Sequence, residues 1–199
     1  MNEALKHFKK RDFILYEVAK TIKLTKLPKP EDSFLDLIET IISQQLSIKA
    51  ADTIFKRFQK IFPRGKITPA YLLKIPDENL RKCGISYSKV TYIKGVSQAV
   101  LDKKLDLKKI EKLGDEEVIS ELIKLKGIGI WTAEMYLMFI LRRPDVFSAG
   151  DMGLQNAMIK LYGLNKKPKK EKLIEISLNW SPYRTTASRI LWKLKDSGN

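Results

Sequence analysis

Apolar residues recur along most of this chain at intervals of three and four, the spacing that lines one face of an α-helix. "EDSFLDLIETIISQQLS" carries Phe34, Leu35, Ile38, Ile41 and Ile42 in that register, after a Pro-rich break, "LPKP", at 27–30. "SIKAADTIFKRFQKIF" places Ile48, Ala51, Ile54, Phe55 and Phe58 on one face, with Lys49, Lys56, Arg57 and Lys60 elsewhere. Pro63 and Gly65 then end it. "TPAYLLKI" offers Thr68 as N-cap and Pro69 at the first helical position. "PDENLRKCG" follows the same logic and stops at Gly84, and a Ser86-capped helix carries Val90, Ile93, Val96 and Val100 on a stripe. "DLKKIEKL" and "DEEVISELIKL" each open on an aspartate suited to the N-cap. A helix is expected from Ile130 to Leu141, another over "MGLQNAMIKLYG", and two more through "KLIEISLNW" and "SPYRTTASRILWKL". "RRPDVFSAGD" breaks the helical run with extended character near Val146, and "NKKPKKEK" reads as a solvated basic turn. No segment sustains the period-two alternation of a strand. The pattern predicts an all-α fold of two packed helical lobes with a cleft. Lobe A covers about 31–110, and lobe B about 1–30 with 111–199.

Length and composition narrow the function. A chain of 199 residues can bury a real core, somewhat more than about 70% of its unfolded surface. No apolar run is long and uncharged enough to cross a bilayer, and the first residues lack the apolar core of a secretory signal. A cytoplasmic, nucleoid-associated protein without membrane partners is the expectation. One cysteine, Cys83, excludes an intrachain disulfide, a thiolate zinc site and a cysteine-ligated iron–sulfur cluster, and reads as a small buried hydrophobe. One histidine, His7, argues against a histidine metal site or a Ser-His-Asp triad. The net charge is +15, from 30 lysines and 8 arginines against 23 acidic residues. A lysine excess without matching glutamate favours a polyanionic partner over thermal adaptation.

"LKGIGIWTA", residues 125–133, is the stretch that specifies the partner. Two glycines, Gly127 and Gly129, precede an apolar helix that begins at Ile130. Such a hairpin turns backbone N–H groups outward where the helix dipole is positive, and glycine lets a phosphate approach closely. Lys124 and Lys126 add charge beside it.

This stretch resembles the helix-hairpin-helix signature of DNA glycosylases, L-P-G-[IV]-G-x-x-T-A, with Lys126 in place of the usual proline. "VFSAGDMGL", with Asp151 twenty positions beyond Trp131, resembles the Gly/Pro-rich loop that ends on the family's catalytic aspartate. "IISQQLS" at 41–47, "GISYSKVTYI" at 84–93 and "WSPYRTTASRILW" at 180–192 resemble further segments of the 3-methyladenine DNA glycosylase II branch. The likeness runs from about residue 31 to 194, and the bacterial enzyme's N-terminal β-rich domain has no counterpart in it.

The resemblance implies an enzyme that flips an alkylated base out of double-stranded DNA, hydrolyses its N-glycosidic bond and leaves an abasic site. Asp151 is then catalytic. Trp131, Trp192, Met135 and Tyr136 match or neighbour positions lining the base pocket, Met135 standing where the family has a tyrosine. Lys124, Lys126, Gly127, Ile128, Gly129 and Thr132 form the DNA-gripping hairpin. Leu46, beside Gln45, matches the residue that fills the gap left by the extruded base, and Arg184 is a structural or phosphate-contacting residue. Glycosylases that also cut the strand carry a lysine where Trp131 stands, so a monofunctional enzyme is implied. No cofactor or metal is expected beyond the monovalent cation that family members often hold on hairpin carbonyls. A monomer is the default, because no self-association surface is legible. Three other readings are a glycosylase for oxidised or deaminated bases with weak lyase activity, a noncatalytic module that binds damaged DNA, and a helical protein scaffold.

Overall fold

The computed structural model describes residues 1–27, 30 and 32–196. The Pro-rich break at 27–30 and the first residue of the segment that follows it fall partly outside them. Among the described residues there is no strand, so the all-α expectation holds. The chain divides into two compact units, residues 1–28 with 142–199 and residues 29–141. The dividing point is therefore Leu141 and not residue 110. Residues 111–141 pack with α3 (Ser33–Ser43) through α10 (Ile130–Met135) and its continuation, so the hairpin shares a unit with the helices before it.

In this unit α3, α4 (Ile48–Lys60), α5 (Pro69–Lys74), α6 (Asp77–Lys82) and α7 (Tyr87–Leu101) surround Ile38, Ile41, Ile42, Phe58, Leu72, Leu80 and Ile93, all fully buried. The caps are those the sequence proposes in most cases. Thr68 accepts from Tyr71 N, Ser86 from Lys89 N, and Asp106 from Lys109 N at the start of α8 (Leu107–Ile110), while Ser47, which the pattern did not single out, caps α4 by accepting from Ala50 N. Two starts differ. Pro76 itself occupies the N-cap of α6. Gly114, not Asp115, caps α9 (Asp115–Leu122), because the Glu117 carboxylate reaches back to accept the Gly114 N–H at 2.9 Å. Ile48, placed by its spacing on the core face of α4, is 85% exposed. It starts the helix, where the first turn overhangs the core. Cys83 is buried as expected, and burial pushes its thiol up.

After Met135 the helix widens into a π-helical turn, Tyr136–Ile140, with Leu141 N donating to Tyr136 O at 2.9 Å. The helix is apolar almost all round, as a buried helix is. Tyr136, Leu137, Met138 and Ile140 are all buried in it.

The second unit contains two helices that the apolar pattern did not reveal, α1 (Asn2–Arg11) and α2 (Phe13–Ala19). Their corner turns on Asp12, whose Oδ1 accepts Leu15 N and whose Oδ2 accepts the Tyr162 hydroxyl and the Trp180 indole, each at 2.7 Å. This carboxylate pins the corner to the end of α11 (Met152–Tyr162) and to the turn after α12 (Lys170–Leu178), and Phe8, Leu15, Leu154, Met158, Trp180 and Leu191, the last from α13 (Arg184–Asp196), form the core there. Burial and the Asp12 charge together push the Tyr162 hydroxyl far up. His7 lies in the same unit, its ring nitrogen 2.9 Å from the Asn179 carbonyl and its ring edge against Tyr183. Among the described residues no group of three or more His, Cys, Asp or Glu could hold a metal ion, and no helix is long and apolar enough to cross a membrane.

Candidate active site and DNA-gripping elements

The hairpin is built by one steric fact. Gly127 has φ +90°, and a Cβ there would lie 2.1 Å from the Tyr92 ring. Tyr92 of α7 therefore packs flat on the turn, and only glycine admits it. Gly129 differs: nothing lies within 4 Å of where its Cβ would be. Inside the protein nothing demands a glycine there, so the open space faces outward. Ile128 is buried and anchors the turn, while Lys126, Gly129 and Ile130 are exposed. The exposed part of the hairpin is thus main chain with the Lys126 and Ile130 side chains. The Ile128 side chain belongs to the core. So does Thr132, which is buried and accepts a hydrogen bond from Gln44 Nε2 at 3.0 Å. Lys124, in the turn after α9, is exposed and paired with Glu121 of that helix at 2.7 Å.

Beside the hairpin lies the loop between α3 and α4. Gln45 has φ +57°, in the left-handed region, and Leu46 is 37% exposed. A recess of about 580 Å³ is lined by Gln44, Leu46, Ser88, Lys89, Tyr92 and Gly127, among others. Trp131 is 38% exposed at the second position of α10. Met135 and Tyr136 are placed differently from the sequence expectation. Both are buried in this unit, and burial above all, with the neighbouring charges of Glu111 and Asp36, pushes the Tyr136 hydroxyl up to about 12. Side chains buried so deeply leave Trp131 as the exposed aromatic of α10.

The other unit holds Asp151. It is the N-cap of α11, its Oδ1 accepting Leu154 N at 2.8 Å. The same oxygen accepts the Trp192 indole N–H at 2.9 Å. A residue the sequence did not single out makes this possible. A Cβ at Gly153 would lie 3.0 Å from Asp151 Oδ1 and 3.2 Å from Trp192 Cδ1, so glycine leaves room for the pair. The preceding loop is braced by Asp151 N to Ser148 O and by Gln155 Nε2 to Ala149 O. Two donors on one oxygen fix the carboxylate's orientation. Trp192 is thus tied to the aspartate by its indole edge, beyond any role of its ring face.

Arg184 is internal. Its guanidinium grips Asp145 through Nε–Oδ1 and NH2–Oδ2, both 2.9 Å, and Ser181 donates to the same carboxylate at 2.8 Å. Burial raises the Asp145 carboxyl, but the Arg184 and Ser181 hydrogen bonds outweigh it and hold the group below its usual range. A fork committed to a carboxylate in this bidentate way is not offered to a phosphate. Arg184 clamps the loop that leads to Asp151.

The HhH-GPD superfamily of base excision DNA repair proteins matches residues 38–182. The chain belongs to that superfamily. This HhH-GPD chain is 38% identical over 165 residues to DNA-3-methyladenine glycosylase 1 of Schizosaccharomyces pombe, covering 82% of this chain and 72% of that one. A solved structure of the Schizosaccharomyces pombe 3-methyladenine DNA glycosylase in complex with abasic DNA matches it with TM-score 0.90 and 33% identity, over 98% of this chain and 97% of that one. The crystal structure of a Bacillus halodurans DNA-3-methyladenine glycosidase matches with TM-score 0.82 and 38% identity, over 96% and 88%.

Proposed function

We infer that this HhH-GPD protein is a base-excision DNA glycosylase that removes an alkylated base of the 3-methyladenine type and leaves an abasic site. The observation that carries this reading is Asp151, oriented by both Leu154 N–H and the Trp192 indole within a family of base-excision proteins.

The chemistry follows from the leaving group. A base alkylated on a ring nitrogen is already cationic, so it departs with the electron pair of the N-glycosidic bond and becomes neutral. It needs no protonation, and no acid partner is required. The sugar left behind has oxocarbenium character at C1′. A carboxylate held near C1′ stabilises that charge, and water completes the reaction by bonding to C1′ and giving up one proton, with Asp151 as its acceptor. Because the carboxylate is oriented before the substrate arrives, little reorganisation is needed during bond cleavage.

Binding is divided among the gripping elements. The hairpin main chain around Gly129 and the Lys126 ammonium hold a phosphate, a contact that positions without reading sequence. Leu46 fills the gap in the stack after the base is extruded. Trp131 offers an electron-rich ring to the cationic base. The hairpin's carbonyl oxygens are hard, neutral donors of the kind that suit a monovalent cation. Leu125 O and Gly127 O each accept one hydrogen bond and keep a second lone pair. Such an ion would add positive charge near the phosphate, and no bond-breaking step depends on it. The protein acts as a monomer.

Methylated duplex DNA tests the reading. Chromatography should show 3-methyladenine released, with strand breaks only after alkali. Trp131 supplies no amine, so borohydride should trap no covalent adduct. Breaks without alkali, or a trapped adduct, would move the assignment to a lyase acting on other bases.

Two substitutions probe the parts separately. Gly129→Ala should leave the melting temperature nearly unchanged, since its Cβ meets no protein atom. It should still weaken duplex binding by about tenfold, roughly 1.4 kcal/mol, by standing where a phosphate oxygen approaches. Fluorescence anisotropy on a labelled duplex reads this directly. Trp192→Phe keeps the ring but removes the donor to Asp151, and should slow single-turnover base release by about tenfold with binding unchanged, the scale of one misplaced catalytic group. An unaltered rate would show that the Leu154 N–H alone suffices.

A further inference from the structure

Two polar side chains outside the reaction chemistry tie the loop that carries Leu46 to its surroundings. Gln44 Nε2 donates to the Gly127 carbonyl and to Thr132 Oγ1, each at 3.0 Å. It therefore spans from the end of α3 to both the hairpin turn and the first turn of α10. Lys89 of α7 approaches the same loop from the other side. Its Nζ donates to Ile42 O at 2.8 Å and to Gln44 O at 2.6 Å, carbonyls that the end of α3 would otherwise leave unsatisfied. Burial pushes the Lys89 ammonium below its ordinary range, which fits a cation spent on internal carbonyls and not on solvent. Lys6 and Lys56, in contrast, are exposed and pair with acids on their own helices.

The loop needs such support. Gln45 sits at φ +57°, a conformation that side-chain-bearing residues seldom adopt, and Leu46 is largely outside the core. Leu46 N reaches back to Ser43 O at 3.2 Å, a long main-chain bond. The hairpin, in contrast, is held independently by Tyr92 packed on Gly127 and by the buried Ile128.

We propose that Gln44 and Lys89 are positioning residues that lock the apolar wedge Leu46 to the phosphate-gripping hairpin, so that gripping the backbone and filling the base gap occur as one rigid action. This rests on the glycosylase reading above. Without the brace, the hairpin still grips DNA, but the wedge is no longer carried into the stack by that grip. Base extrusion then fails while non-specific binding persists. The substrate class affected is duplex DNA whose base must be flipped.

The test uses Gln44→Met and Lys89→Met, which keep side-chain bulk and remove the donors, with Lys89→Arg as the conservative variant. Three quantities are read: affinity for undamaged duplex, the fluorescence of 2-aminopurine placed beside an abasic-site analogue, and single-turnover base release from methylated duplex. The Met variants should keep undamaged-duplex affinity within about twofold, lose most of the fluorescence rise, and release base about tenfold more slowly. Lys89→Arg should restore the fluorescence rise. The decisive measurement is the double variant: in a Leu46→Ala background, Gln44→Met should cause no further loss, because the two act through one wedge. Multiplying losses in that background, or an equal fall in undamaged-duplex affinity, would overturn the proposal. If Gln44→Met does not fold, Gln44→Asn, too short to reach both acceptors, takes its place in the same cycle. Should the wild type unstack 2-aminopurine but release no base, the glycosylase reading would fall and the brace would stand.

Discussion

Asp151→Asn should abolish base release while the folded protein and its affinity for duplex DNA persist. The separation is possible because asparagine keeps the cap that Asp151 provides and removes only the charge that the proposed chemistry uses. As an N-cap its Oδ1 accepts Leu154 N, and asparagine caps a helix about as well as aspartate. The asparagine carbonyl can also accept the Trp192 indole. What asparagine lacks is the negative charge. Electrostatic stabilisation and base assistance each contribute on the order of 10² to 10⁴ in rate, so release from methylated duplex should fall by at least about 10²-fold. Asp151→Ala would be a poorer experiment, since losing the cap costs about 1 kcal/mol of stability as well. Chromatographic release, a thermal melt and anisotropy on the same preparations decide the matter. Release within a few-fold of wild type would make Asp151 a cap and nothing more.

Gly127→Ala should be the most damaging single change in the hairpin, and for a reason opposite to Gly129→Ala. A methyl at 127 would stand 2.1 Å from the Tyr92 ring, on a backbone at φ +90°. Either the ring or the turn must move. Left-handed strain and overpacking each cost roughly 1–3 kcal/mol, so a loss of about 2–6 kcal/mol is expected. The Gly127 carbonyl that receives Gln44 would shift with the turn, so DNA affinity and wedge position should fail together. A melting temperature lowered by several degrees and a duplex affinity reduced by more than about tenfold would agree with this. Tyr92→Ala combined with Gly127→Ala offers a check, because removing the ring should recover part of the stability. No recovery would place the whole cost in the backbone.

These two glycines show how far the chain could be read before its structure. Both were legible as a hairpin from their spacing, and the phosphate reading applied to them as a pair. The structure separates them: one glycine accommodates an internal tyrosine, the other is open to a partner. The same holds for Trp192, whose family position suggested a base platform and whose indole N–H in fact reaches Asp151. Arg184 looked equally suited to phosphate or to structure, and its bidentate grip on Asp145 decides for structure.

By itself the sequence determined the helical class, most helix starts and the hairpin, and through resemblance it pointed to Asp151 as the catalytic candidate. These rest on interactions three or four residues apart: apolar stripes, and capping side chains such as Thr68, Ser86 and Asp106 that bond N–H groups within one turn. Tertiary structure alone decided what joins distant segments. Gln44 meets Gly127 across 83 positions, Lys89 meets Ile42 across 47, and Asp12 meets Trp180 across 168. It also decided that Ile48 is exposed and Tyr136 buried, since local periodicity says which side a residue shares with its neighbours but not whether another helix covers that side.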